Sequence, residues 1–240
     1  MLIVQKFGGS SVADADRIRH AARIVADTYD KGNDVVVVLS AQGDTTDELL
    51  ERAAVLNAAP NARELDMLLT TGEQVSVSLM AMCLENMGYP VISLTGWQAG
   101  VSTTDTHGDA RILHIDTERL LRHLYSGRIV VVAGFQGISA DGDLTTLGRG
   151  GSDTTAVALA GALHAHHCQI FTDVDGVYTE DPRKYPDAKK LSEIGYAQML
   201  DMARNGAQVL HDRCVELAQR YGIVIEVRSA FEDVPGTLVK

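Results

Sequence analysis

Thr146-Leu147-Gly148-Arg149-Gly150-Gly151-Ser152-Asp153-Thr154-Thr155 stands between an apolar run, Ile129 to Ala133, and a small-residue run, Ala156 to Ala165. The apolar run reads as a fully buried strand followed by a short hairpin, and the small-residue run reads as a helix. A strand, a glycine loop and a helix N-terminus in series turn several backbone N–H groups outward. Those donors lack intrahelical partners and the helix dipole adds to them, so the place attracts anions. Ser152 or Asp153 is suited to cap the helix. Arg149, in the middle of the loop, is suited to grip a carboxylate or phosphate through two parallel hydrogen bonds. A glycine-rich surface turn would use the same letters. The pattern is not the dinucleotide fingerprint, because Asp153 stands where that motif needs its last glycine, and no Walker-type lysine follows.

On either side of this loop, strand-like and helix-like segments alternate. Leu2 to Lys6 is a short apolar run, and Asp14 to Lys31 carries Ile18, Ala21, Ala22, Ile24 and Val25 at helical spacing until Gly32-Asn33 stops it. Asp34 to Ser40 is almost continuously apolar, the mark of a strand covered on both faces. Val91 to Leu94, Ile129 to Ala133 and Cys168 to Thr172 repeat that pattern. Helices fit Asp44 to Asn57, Arg63 to Met87, Thr117 to Tyr125, Ser152 to Ala165, Ser192 to Arg204 and Ala207 to Tyr221, with Ile223 to Arg228 as a closing strand. Such alternation predicts an α/β fold, a mostly parallel sheet sandwiched between helices in three αβα layers. No linker, low-complexity tract or repeat interrupts residues 1–240, which read as one domain.

Composition narrows the function classes. A chain of 240 residues with 45% apolar and 22% charged residues is ordinary for a globular protein with a sizeable core. A net charge of -11 argues against a nucleic-acid partner, which needs clustered Lys and Arg. No apolar stretch reads as long enough for a membrane helix, and Met1 to Lys6 has no signal-peptide layout. Cys83, Cys168 and Cys214 are odd in number and widely spaced, which argues against a disulfide framework and for a cytoplasmic setting.

In open parallel sheets, ligands collect outside the carboxyl ends of the strands. Four of the expected strand ends here carry glycines, hydroxyls and charged groups: Lys6-Phe7-Gly8-Gly9-Ser10-Ser11, Ser40 to Thr46, Gly134-Phe135-Gln136-Gly137, and Thr172 to Tyr178. Lys6, followed by two glycines that let backbone approach closely, suits a phosphate clamp. His164, His166, His167 and Cys168 straddle an expected helix end and a buried strand, so their side chains should diverge rather than bind zinc. Asp173 and Asp175 suit nucleotide or turn contacts better than a magnesium cage. Trp97 reads as packing or a subunit contact.

Lys6 to Val12, Thr70-Thr71-Gly72-Glu73-Gln74, Gly134 to Gly137, Thr146 to Thr155, and Thr172 to Arg183 together resemble the aspartate kinases of the amino-acid kinase family, a likeness that runs to Pro235-Gly236-Thr237-Leu238. The resemblance implies the amino-acid kinase fold, with an N-terminal amino-acid-binding lobe and a C-terminal nucleotide-binding lobe. It also implies ATP- and Mg2+-dependent phosphorylation of the L-aspartate side-chain carboxylate, the first step toward lysine, threonine and methionine. By the same resemblance Lys6 steadies the transferring phosphoryl group, with Gly8, Gly9 and Ser10 beside it, and Asp153 orients Lys6. Arg149 holds the substrate α-carboxylate, with Gly150, Gly151 and Ser152 in the same pocket. Glu73 accepts the α-amino group, and Ser40, Thr46 and Phe135 complete the pocket. Thr172, Asp173, Tyr178, Arg183 and Gln208 form the nucleotide side, and a homodimer is implied.

Two departures from the family pattern carry expectations. Where the family usually has lysine, Gly206-Ala207-Gln208-Val209-Leu210 has glutamine, which predicts weaker ATP binding that Gln208→Lys repairs. Regulatory ACT domains usually follow the catalytic domain, whereas this sequence stops at Lys240. Little feedback inhibition is then expected, unless a separate regulatory subunit supplies it. Alternative readings are a kinase for glutamate, N-acetylglutamate, carbamate or UMP, or a catalytically weakened assembly subunit. Glu73 favours a substrate with a free α-amino group.

Overall fold

The computed structural model describes every residue except Asp181, Arg183, Pro186, Ala207 and Gln208. In chain order its strands are β1 (Leu2–Phe7), β2 (Asp34–Leu39), β3 (Val91–Leu94), β4 (Val101–Thr103), β5 (Ile112–Ile115), β6 (Ile129–Ala133), β7 (Gln136–Ile138), β8 (Leu144–Thr146), β9 (His167–Thr172), β10 (Glu193–Ile194), β11 (Ile225–Ser229) and β12 (Thr237–Val239). The helices are α1 (Ala15–Asp30), α2 (Thr45–Leu56), α3 (Ala62–Asn86), α4 (Glu118–Tyr125), α5 (Gly151–Ala162), α6 (Tyr196–Arg204) and α7 (Asp212–Tyr221).

Eight strands form one sheet in the order β10-β12-β11-β9-β1-β2-β6-β3. The six from β11 to β3 are parallel, β12 joins β11 antiparallel, and β10 pairs parallel with β12 at the edge. Continuous valine runs follow from cover on both faces. Val35, Val37 and Leu39 of β2 pack toward α1 and α3, while Val36 and Val38 pack with the cluster that includes α5 and α7. The expected three-layer αβα architecture is therefore present. Strand β1 pairs with β2 on one side and β9 on the other. The chain thus leaves the centre of the sheet in opposite directions, and a crevice opens at the carboxyl ends of these strands.

A second sheet, β5-β4-β7-β8, stands beyond the end of β6. Its β7/β8 pair is the expected hairpin, whereas β4 and β5 were not anticipated. They are short and mix Ser, Thr and His with apolar residues, so no alternation is long enough to read.

Helix ends follow local chemistry. The Asp14 side chain accepts from Arg17 N–H at 2.9 Å to cap α1, and Gly32 beyond its other end has φ 81°. Three helix expectations need correction. The helix expected at Ser192 begins at Tyr196, because Ile194 is taken into the sheet beside Val239. The one expected at Ala207 begins at Asp212, after an extended His211. Helix α5 ends at Ala162, where the chain turns through His164 at φ 52°. The membrane reading also needs correction, since α3 is long and apolar enough to cross a bilayer by length and composition. It nevertheless buries Asp66, Thr70, Glu73 and Ser76 within the fold, as a core helix does.

Candidate active site

Lys6 and Asp153 define the centre of the crevice. Lys6 is the last but one residue of β1, on the face that meets α5, and only 9% of its surface is exposed. Its Nζ lies 2.6 Å from Asp153 Oδ1 in the first turn of α5. This differs from the capping role expected for Ser152 or Asp153. The N-cap is Gly150, no side chain caps the helix, and the Asp153 carboxylate is drawn to the lysine instead. The Ser152 and Asp153 amides stand in the first turn, where backbone N–H groups have no intrahelical acceptor.

The glycines allow this approach. A Cβ on Gly9 would stand 2.7 Å from the Ala41 carbonyl oxygen, and Gly43 N–H donates to the Gly9 carbonyl at 3.0 Å. The loops after β1 and β2 are thereby locked together. Gly150 has φ 69°, and a Cβ there would stand 2.4 Å from His211 Cβ, so only glycine fits the turn into α5.

Around the Lys6–Asp153 pair opens a cleft of about 450 Å³. Lys6, Gly9, Ser40, Thr46, Glu73 and Phe135 line it, together with the run Arg149 to Asp153. Glu73 projects from α3. Its Oε1 accepts from Ala41 N–H at 3.0 Å, while its buried Oε2 has no partner. Burial pushes this carboxyl up to about 7, with the Ala41 hydrogen bond pulling the other way. Phe135 adopts φ 69°, a conformation bulky residues avoid, and its N–H donates to Thr155 Oγ1 at 3.1 Å. That strained backbone turns its ring against Gly151 at the cleft wall. Arg149 is exposed into the cleft opposite these groups. The arrangement unites two cations, helix-end amides and a buried carboxylate, and can hold an anion and an ammonium together.

The residues expected to contact nucleotide lie at the neighbouring strand end. Gly8 N–H donates to the Phe171 carbonyl at 3.4 Å, which sets Thr172 beside the Lys6 loop. Thr172 Oγ1 donates to Asp173 Oδ1 at 3.0 Å, and Tyr178 OH donates to Asp175 Oδ1 at 2.9 Å. Lys190 Nζ lies 2.9 Å from Asp175 Oδ2. Gly8, Ser10, Thr172, Asp173 and Tyr178 thus flank the cleft rather than line it. Arg183 and Gln208 lie outside the described residues.

Magnesium would find no cage of protein ligands here. Asp153 is paired with Lys6, Asp175 with Lys190, and the described residues contain no group of three or more His, Cys, Asp or Glu side chains suited to a metal. A nucleotide's phosphates and water are the ligands magnesium ordinarily relies on. Among the histidines after α5, His166 Nδ1 accepts from Leu2 N–H at 3.3 Å.

Sequence reading missed Asp47, Leu50 and Leu69 in the cleft wall. It also missed Asp66, a buried carboxylate on α3. Asp66 precedes Glu73 by two helical turns, so an acidic residue repeating on one face of an apolar helix was the available signal.

A cleft of this kind, at the topological switch point of a parallel sheet and lined by anion-binding groups, defines an α/β protein built to receive charged small molecules. The chain belongs to the amino acid kinase family, whose model matches residues 1–229. It is 57% identical over 239 residues to an aspartokinase of Geobacillus stearothermophilus, covering 100% of this chain and 59% of that protein. An aspartate kinase structure from Synechocystis superposes with a TM-score of 0.89 at 49% identity, covering all of this chain and 40% of the other. The E. coli aspartokinase III structure in complex with aspartate and ADP gives 0.88 at 32% identity, covering all of this chain and 64% of the other. The chain spans 57% to 59% of the length of the curated relatives it matches.

Proposed function

We propose that this chain catalyses ATP-dependent phosphorylation of the side-chain carboxylate of L-aspartate, the opening step toward lysine, threonine and methionine in the cytoplasm. The observation that carries the reading is the gathering of Lys6, Glu73 and Arg149 around one cleft. Arg149 grips the α-carboxylate and Glu73 accepts the ammonium, which leaves the side-chain carboxylate directed toward Lys6. That carboxylate, with an ordinary pKa of about 3.9, is already ionised near neutral pH and needs no general base. Its oxygen forms the new bond to the γ-phosphorus as the bridging oxygen departs with ADP. Lys6 offsets the charge of the transferring group, the first-turn amides of α5 add to that field, and Asp153 holds the lysine in place. Magnesium brought in with the nucleotide would supply further neutralisation of the phosphates. Gly8, Thr172, Asp173 and Tyr178 are the nucleotide side of this reading, which extends to Arg183 and Gln208. A homodimer completes the proposal.

The names of the relatives support this substrate, as does the E. coli neighbour's complex with aspartate and ADP. Coupled ADP release with and without aspartate tests the reading directly. Aspartate-dependent release with little turnover of N-acetylglutamate or UMP is expected. ADP release that ignores aspartate would overturn it.

A further inference from the structure

Asp66 is 1% exposed, and its carboxylate gathers donors from three places. Thr146 Oγ1 donates to Oδ1 at 2.6 Å, His107 Nδ1 lies 2.8 Å from Oδ2, and Gly108 N–H approaches both oxygens at 3.2 and 3.1 Å. Thr146 ends β8, three residues before Arg149. From there each link of the backbone is tied down. Ala110 N–H donates to the Thr146 carbonyl at 2.9 Å, Leu147 N–H to the Phe135 carbonyl at 2.9 Å, and Gly151 N–H to the Gly148 carbonyl at 3.0 Å. On the other side, Arg213 donates to the Leu147 carbonyl at 3.2 Å and to Asp109 at 2.9 Å. The Asp66 carboxylate, through the Thr146 hydroxyl, is the link from this tied loop to α3.

The same helix carries the other half of the head-group site. Glu73 follows Asp66 by two turns on the inward face of α3, and its Oε1 is fixed by Ala41 N–H. A rigid helix thus sets the span between an ammonium acceptor, Glu73, and a carboxylate donor, Arg149. We propose that Asp66 is a positioning residue that fixes this span and so tunes the cleft to the head group of an α-amino acid. The proposal rests on the aspartate-phosphorylating reading and adds to it a residue that touches no substrate.

Steady-state kinetics of Thr146→Val, Thr146→Ser and Asp66→Asn, with ATP and aspartate varied separately, test it. Thr146→Val removes the hydroxyl that binds Asp66, and should raise the KM for aspartate about tenfold or more while the KM for ATP moves less than about twofold. Thr146→Ser keeps the hydroxyl and should return the KM for aspartate to within about twofold of the unmodified protein. Asp66→Asn should follow Thr146→Val if it folds. His107→Ala, which removes a donor nearer the surface, provides a milder shift in the same direction should Asp66→Asn not fold. An unchanged KM for aspartate in Thr146→Val, equal rises for both substrates, or no rescue by serine would overturn the proposal while leaving the function intact. No aspartate-dependent turnover in the unmodified protein would overturn the functional reading, and this proposal with it.

Discussion

Lys6 and Arg149 are both cations of one cleft, yet their surroundings give them different work. Lys6 is enclosed and committed to Asp153, so it can act only on a group brought to it. Arg149 is open to solvent and suited to capture. Lys6→Ala should therefore lower kcat by about a hundredfold or more with a modest change in KM for aspartate, and Arg149→Ala should chiefly raise that KM. The reverse pattern in steady-state kinetics would exchange the two roles. Glu73 gives a pH prediction whose sign is fixed by its burial. Its folded value of about 7 lies above the ordinary 4.5, so its contribution to stability is fullest below pH 4.5 and is lost as pH rises toward 7. An ammonium on Oε2 favours the carboxylate and reverses that loss. The rise in melting temperature produced by aspartate should grow between pH 6 and pH 8, and Glu73→Gln should flatten it. An increment that ignores pH in the parent protein would remove Glu73 from the site.

Helices and loops place these groups, and the turn into α5 is the tightest of them. Gly150→Ala must accept φ 69° and displace His211, at a cost of at least about 1–2 kcal/mol in urea unfolding. A neutral result would mean that the loop relaxes freely. This turn was legible because its glycines, Arg149 and the small residues of α5 are contiguous. Strands β3 and β6 were read with their observed ends, and for β6 cover on both faces leaves an unbroken apolar run. What could not be read depends on distant partners. Strand β10 exists because Ile194 pairs with Val239, and nothing near Ile194 announces it. The Asp66–Thr146 bond joins positions 80 apart, so the helix pattern could mark Asp66 as inward-facing without naming its partner. The ion pair of Lys6 with Asp153 comes from the packing of α5 against β1; local chemistry suggested only a cap, and the family resemblance alone pointed to the pairing.

Across the full chain, the sheet separates two supports for the two sides of the crevice. On one side α3 holds the loop after β2 through Glu73 and the Arg149 loop through Asp66. On the other, β12, between β10 and β11, holds the segment that follows β9. Thr237 Oγ1 accepts from Val177 N–H at 2.8 Å and donates to the Leu191 carbonyl at 2.5 Å, while Lys190 Nζ reaches both Asp175 and the Pro235 carbonyl. Thr237 is fully buried, so Thr237→Val keeps the shape and leaves a buried donor and a buried acceptor without partners. That should cost about 2–4 kcal/mol in urea unfolding, with Thr237→Ser restoring most of it. If the segment after β9 is the nucleotide side, the same variant should raise the KM for ATP and leave that for aspartate unchanged, the mirror image of the Thr146→Val pattern. Equal effects on both substrates would mean that the two supports act as one body and that the crevice has no separable sides. An unchanged KM for ATP in a measurably destabilised protein would move the nucleotide away from Thr172 to Tyr178.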